Sequence, residues 1–171
     1  MANTGQMLMV LGALLLFTIM LPSVNNTLLY NDRAVIESNA ELVAMGLAQR
    51  ILAEAGVEAF DVVCLSMPPT MANQLTAPGS LGPAGGETYP NFNDLDDFHN
   101  LSLVDSTSLP SVQFNITAQV VYVNPNNPSQ VMGSQTFAKR LRVTVTSPFL
   151  VNPANNQPIQ VQLEQVYAYY L

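Results

Sequence analysis

The sequence has no tryptophan, one cysteine, one histidine and only five basic residues among 171. The single Cys64 excludes an internal disulfide and a cysteine-built zinc site. The single His99 excludes a multi-histidine metal centre. Arg33, Arg50, Lys139, Arg140 and Arg142 stand against twelve acidic residues, for a net charge of −7. Nucleic-acid binding draws on clustered Lys and Arg, so that charge balance excludes it as the main role. Charged residues of both signs make up 10% of the chain, where about a quarter is usual for a soluble domain. A neutral surface rich in Asn, Gln, Ser and Thr suits an extracellular or densely packed setting. There is no G-x-S-x-G nucleophile elbow, and His99 beside Asp97 lacks the nucleophile and oxyanion hole that a triad needs. No enzyme is expected.

What is present begins with an uncharged apolar run, Met7 to Leu21, and no charged residue precedes Asp32. A bilayer span needs about 20 apolar residues, reached here by including Val24, Leu28 and Leu29. A secretory signal is a weaker reading, because MANTG has no basic residue and no small-x-small cleavage site follows. A buried core helix of a soluble protein is the remaining alternative. Pro22 removes a backbone donor and is expected to kink the helix or open it locally.

From residue 31 to 61 the pattern is that of an amphipathic helix. Val35, Ile36, Leu42, Val43, Leu47, Ile51 and Leu52 recur at helical spacing, with Asp32, Glu37, Glu41, Arg50, Glu54 and Glu58 largely between them. Gly46 and Gly56 weaken that helix, and Gly46 offers room for a close neighbour. Residues 62–110 read as an irregular segment, with six prolines and four glycines between Ser66 and Pro110, and one short helical turn is expected in it. Residues 111–171 read as strands. Val112, Phe114, Ile116, Ala118, Val120 and Tyr122 alternate with polar residues. So do Phe137, Leu141, Val143 and Val145, and then Ile159, Val161, Leu163, Tyr167 and Tyr169. Period-two alternation makes one apolar face and one wet face. The expected fold is therefore α+β: a long N-terminal helix, apolar then amphipathic, packed on a small C-terminal antiparallel meander.

This order of elements resembles the type IV pilins and the pseudopilins of type II secretion. Gly5 before the apolar run looks like the residue after which prepilin peptidase cuts, making 1–5 a leader and Gln6 the new N-terminus. Pro22 lies in the part of the helix where pilins commonly carry proline. FAKRLRVTVTSP, Phe137 to Pro148, is similar to the second strand of minor pilins and pseudopilins, and NDLDDFHN, Asn93 to Asn100, to the loop before their sheet. The chain departs from the family in lacking Lys or Arg in MANTG. It also carries Val10, not Glu, at the fifth position after Gly5.

The resemblance implies a structural subunit that polymerises with copies of itself. Residues 6–30 would form a transmembrane and then filament-core helix, and residues 31–171 the head. The assembly residues would be Met7, Leu8, Val10, Leu11, Leu14, Leu15, Leu16, Phe17, Leu21 and Pro22. Before assembly the helix would sit in the inner membrane, with prepilin peptidase and the assembly machinery as partners; afterwards the chain would be part of a surface filament. The alternatives are a minor pilin or pseudopilin that primes such a machine, and a membrane-anchored periplasmic binding or scaffold protein.

Other clusters carry blander expectations. Asp94, Asp96 and Asp97 are calcium candidates by composition, but their spacing is not that of an EF-hand loop, and a solvated, turn-forming loop is the competing reading. No other cofactor is expected. Lys139, Arg140 and Arg142 read as a wet strand face, with Arg140 or Arg142 pairing with Glu164, or else as an inter-subunit surface. Cys64 reads as a small buried hydrophobe.

Overall fold

The computed structural model describes residues 3–152, 155 and 157–170. Met1 and Ala2 of the expected leader, and Pro153, Ala154 and Asn156 of the last expected turn, lie outside the described residues. By internal contacts the chain divides into two compact units, Met1–Asn39 and Ala40–Leu171.

A single helix, α1 (Thr4–Ala55), runs from the first unit into the second. It continues through Pro22 without a break in the helical assignment. Pro22 has no N–H to give the carbonyl of Thr18, four residues back. Thr18 and Thr27 turn their hydroxyls onto the carbonyls of Leu14 and Ser23, which hides two polar groups along the apolar stretch.

Among the described residues the second unit holds the end of α1, a five-residue helix α2 (Val62–Ser66), three single 3-10 turns (Ala72–Gln74, Pro78–Ser80 and Leu95–Phe98) and five strands. The strands are β1 (Ser102–Asp105), β2 (Phe114–Asn124), β3 (Asn127–Val131), β4 (Ala138–Val151) and β5 (Pro158–Ala168). All pair antiparallel, in the order β1-β2-β4-β5, and β3 folds back on the end of β2. The α+β architecture expected from the sequence, a long helix on a small antiparallel sheet, is the architecture found.

The core lies between the last turns of α1 and one face of that sheet. Phe114, Ile116, Ala118 and Val120 of β2, and Leu141, Val143 and Val145 of β4, point into it. The helix meets them with Ala40, Ala44, Leu47, Ala48, Ile51, Leu52 and Ala55. This stripe is not the expected one. Leu47, Ile51 and Leu52 are buried and Val43 is half-buried, but Val35, Ile36 and Leu42 are exposed. Alanine takes their place because its short side chain lets the helix backbone approach the sheet, where larger groups would hold it off.

Three boundaries also differ. The helix ends at Ala55, not 61; the amide of Gly56 closes the last turn onto Leu52 O, and a Cβ on Gly56 would touch the Tyr167 ring at 3.4 Å. By contrast a Cβ on Gly46 would meet nothing within 4 Å, so no neighbour among the described residues uses that space. The segment 62–110 is less irregular than expected, since it contains α2, the three turns and β1. The sheet has five strands rather than three.

Candidate functional site

Two regions carry features that the fold alone does not require. The first is the apolar part of α1. Gly5 and Gln6, the expected processing pair, lie in its opening turn. Met7, Leu8, Val10, Leu11, Leu14, Leu15, Leu16, Phe17 and Leu21 all lie on the helix beyond them and are 53–71% exposed. Exposure continues through Val24, Leu28 and Leu29. Met7 to Leu29 rises about 34 Å at 1.5 Å per residue, against roughly 30 Å of bilayer hydrocarbon. The helix is thus long and apolar enough to cross a membrane. Leaving these side chains in water is unfavourable by about 1.5–3 kcal/mol each. Over nine residues that is about 13–27 kcal/mol, as large as or larger than the roughly 5–15 kcal/mol that holds a typical domain together. Among the described residues no part of this run is buried, which does not fit the reading of it as a core helix.

The second region is a buried ionic cluster at the edge of the core. Lys139, expected on a wet face, has no exposed surface. Its Nζ lies 2.8 Å from Asp61 Oδ2, 2.5 Å from Asp96 Oδ1 and 2.8 Å from the Phe60 carbonyl. The Phe60 and Tyr122 rings flank it, with centroids 4.5 and 5.1 Å away. The cause is strand parity: residue 139 is in phase with the inward residues 141, 143 and 145, and pairs across the sheet with the inward Tyr122. Arg140 and Arg142 face the other way and both reach Glu164, as expected.

Each acid of the cluster has a distinct environment. Asp61 caps α2 and accepts from the amides of Val63 and Thr76 and from the Thr76 hydroxyl. Burial works against its charge, but the Lys139 hydrogen bond and charge, with those amides, outweigh it and hold the carboxyl below its usual range. Asp96 is pushed up to about 6, because burial exceeds the opposing pull of Lys139. No hydrogen bond from the described residues reaches Asp96 Oδ2. Asp94 is pushed up to about 7, first by burial and then by the charges of Asp96 and Asp97. It caps the turn Leu95–Phe98, where its Oδ1 accepts from the Asp96 amide at 2.6 Å. Asp97 accepts from the amides of Asn93 and Asp94, and burial raises its carboxyl too.

These placements correct the reading of Asp94, Asp96 and Asp97 as a solvated loop: all three are buried. The three carboxylates are engaged with Lys139 and with backbone amides, and among the described residues no group of three or more His, Cys, Asp or Glu is placed to hold a metal ion.

His99 packs against the backbone of β2. Its Nδ1 sits 2.8 Å from the carbonyl oxygen and 3.2 Å from the amide nitrogen of Val120. Its ring lines an open groove of about 550 Å³ with Glu87, Tyr89 and Asp97. Cys64 is half-buried on α2 rather than fully buried, and burial raises its thiol. Tyr167 turns inward as expected and donates to Leu52 O at 2.6 Å, while Tyr169 packs against Phe60 and Phe137.

Comparison of this chain with protein-family models, with curated proteins and with solved structures found no match.

Proposed function

We propose that the chain is a pilin-like structural subunit of an extracellular or cell-envelope filament, polymerising through the apolar part of α1. The observation that carries this reading is the uncovered helix surface from Met7 to Leu21, in a chain with no charge before Asp32. Such a surface is stable in two settings, a bilayer or a bundle of like helices, and a pilin uses both in turn. The sheet-backed head supports the reading, because a soluble domain fused to such a helix is what a filament with an apolar core and a polar surface needs. Contacts that repeat from one copy to the next without closing produce a fibre. In this account the chain resides in the inner membrane before assembly and in a surface filament afterwards. Residues 1–5 are a leader removed after Gly5.

Leu15→Lys tests the proposal. A lysine at the centre of a membrane helix is unfavourable by about 2.5–3.5 kcal/mol on insertion scales, and in a filament core every subunit would bury one. The expected result is a chain with a folded head that forms no filaments. Filaments from Leu15→Lys at the wild-type level would refute the core role of the helix.

A further inference from the structure

Lys139 is held among more buried acid than it can neutralise. Asp61, Asp94, Asp96 and Asp97 are each at most 3% exposed, and Lys139 is the only buried basic residue among the described ones. One ammonium cannot balance four carboxylates away from water, so part of this set must be neutral carboxylic acid. The hydrogen bonds indicate which. Asp61 accepts from two backbone amides, a hydroxyl and Lys139, all of which favour its ionised form. Asp96 touches Lys139 through one oxygen only, and its other oxygen, wholly buried, has no donor among the described residues.

We propose that Lys139 and Asp96 join in an intramolecular isopeptide bond, with Asp61 as the group that takes the proton. The geometry brings the two reacting groups into contact. The Nζ of Lys139 is 2.5 Å from Asp96 Oδ1, and the carboxyl carbon is one covalent bond further on. Holding an amine and a carboxyl together in this way replaces a bimolecular encounter, with effective concentrations of about 10⁵–10⁸ M in well-oriented cases. The Phe60 and Tyr122 rings flank the ammonium, and the site is closed to bulk water. Two buried charges are costly there and a neutral amide is not, so the surroundings favour condensation over the hydrolysis that bulk water would favour.

The step balances. Asp61 carboxylate takes one proton from the Lys139 ammonium. The freed amine adds to the carboxyl carbon of neutral Asp96, forming the C–N bond. The nitrogen then loses a second proton, which leaves with the departing Asp96 hydroxyl as water as the C–O bond breaks. The products are an amide, one water and a protonated Asp61, and the net charge is unchanged. No oxidant, nucleotide or metal is consumed. The bond would tie the turn Leu95–Phe98 to β4, two positions 43 residues apart. It would thereby fasten the long segment before β1 to the centre of the sheet.

Mass spectrometry of the purified full-length chain in detergent tests this. The expected result is a protein lighter by one water, and a protease digest containing one branched peptide in which Lys139 is linked to Asp96. That branched peptide is independent of any processing near Gly5. Recovery of Lys139 and Asp96 in separate linear peptides overturns the proposal, and so does a loss of water that maps to a cyclic imide. Asp61→Asn keeps both partners and removes the proton acceptor, and is expected to reduce the branched peptide from the main species to an undetectable one. A fully cross-linked Asp61→Asn chain would overturn the role of Asp61. Should that variant fail to fold, the wild-type digest still decides whether the bond exists.

Discussion

Replacing Lys139 by methionine tests how the head is held together. The residue has no exposed surface, and its nitrogen satisfies two carboxylates and a carbonyl at 2.5–2.8 Å. Methionine fills nearly the same volume, so the cavity contribution is small and the loss is electrostatic. Without the ammonium, Asp61 and Asp96 face each other with no cation and little access to water. Breaking a buried ion pair from one side costs about 3–5 kcal/mol. For a head of this size that lowers the thermal midpoint by roughly 10–20 °C, and by more if the covalent tie to Asp96 is lost with the amine. The assay is thermal unfolding in detergent, followed by the near-ultraviolet circular dichroism of the tyrosines, all of which except Tyr30 lie in the second unit. Adding Asp96→Leu and Asp61→Asn to Lys139→Met removes the two carboxylates that Lys139 contacts directly and should recover at least half of the loss. A Lys139→Met midpoint within about 3 °C of wild type would refute the view that this cluster holds the head together.

Other perturbations probe different parts of the structure. Ala48→Leu forces three more carbons between α1 and the sheet, where Ala48 has no exposed surface; a loss of about 1–3 kcal/mol is expected, read as a lower urea midpoint. Glu164→Gln breaks the pairs with Arg140 and Arg142 on the outer face; being part-exposed, they contribute at most about 1 kcal/mol, and the small effect should shrink further in high salt. The raised Asp94 carboxyl gives a pH dependence whose sign is fixed. Its ordinary value is 3.8 and its folded value about 7, so the folded state binds the extra proton between them and stability falls as pH rises through that window. Burial is the main cause, with Asp96 and Asp97 adding to it and Lys139 opposing it. The head should therefore resist urea better at pH 5 than at pH 8, and Asp94→Asn should flatten that difference; an unchanged profile in the variant would place the effect elsewhere.

The parts of the fold legible in the sequence are those where one physical pattern dominates. The apolar run Met7–Leu21 has no charge to interrupt it, and β2 alternates strictly from Phe114 to Val120, so both elements follow from hydropathy alone. The helix stripe was not legible in the same way. Alanine is weakly apolar, so Ala40, Ala44, Ala48 and Ala55 give little periodic signal beside Val35, Ile36 and Leu42, although closeness to the sheet selects the alanines. Strand β1 has four residues, too few to show a period, and it becomes a strand by pairing with β2.

The buried cluster was missed for another reason. The charge of Lys139 points to a wet face, whereas its position two residues before Leu141 places it on the inward one. Asp61 and Asp96 gave no sign of being its partners. They lie 78 and 43 residues away along the chain, and only the packing of the loop against β4 brings them together. Parity was the available signal: a lysine in phase with three inward residues implies a buried anion somewhere in the fold.

The central claim, a filament subunit assembled through its apolar helix, is tested most directly by electron microscopy of material sheared from the cell surface, combined with intact-mass analysis of its protein. The account predicts abundant fibres composed of this one chain, at a mass showing that residues 1–5 have been removed. A chain found wholly in the membrane fraction with Met1 still present, and no fibres, would contradict it.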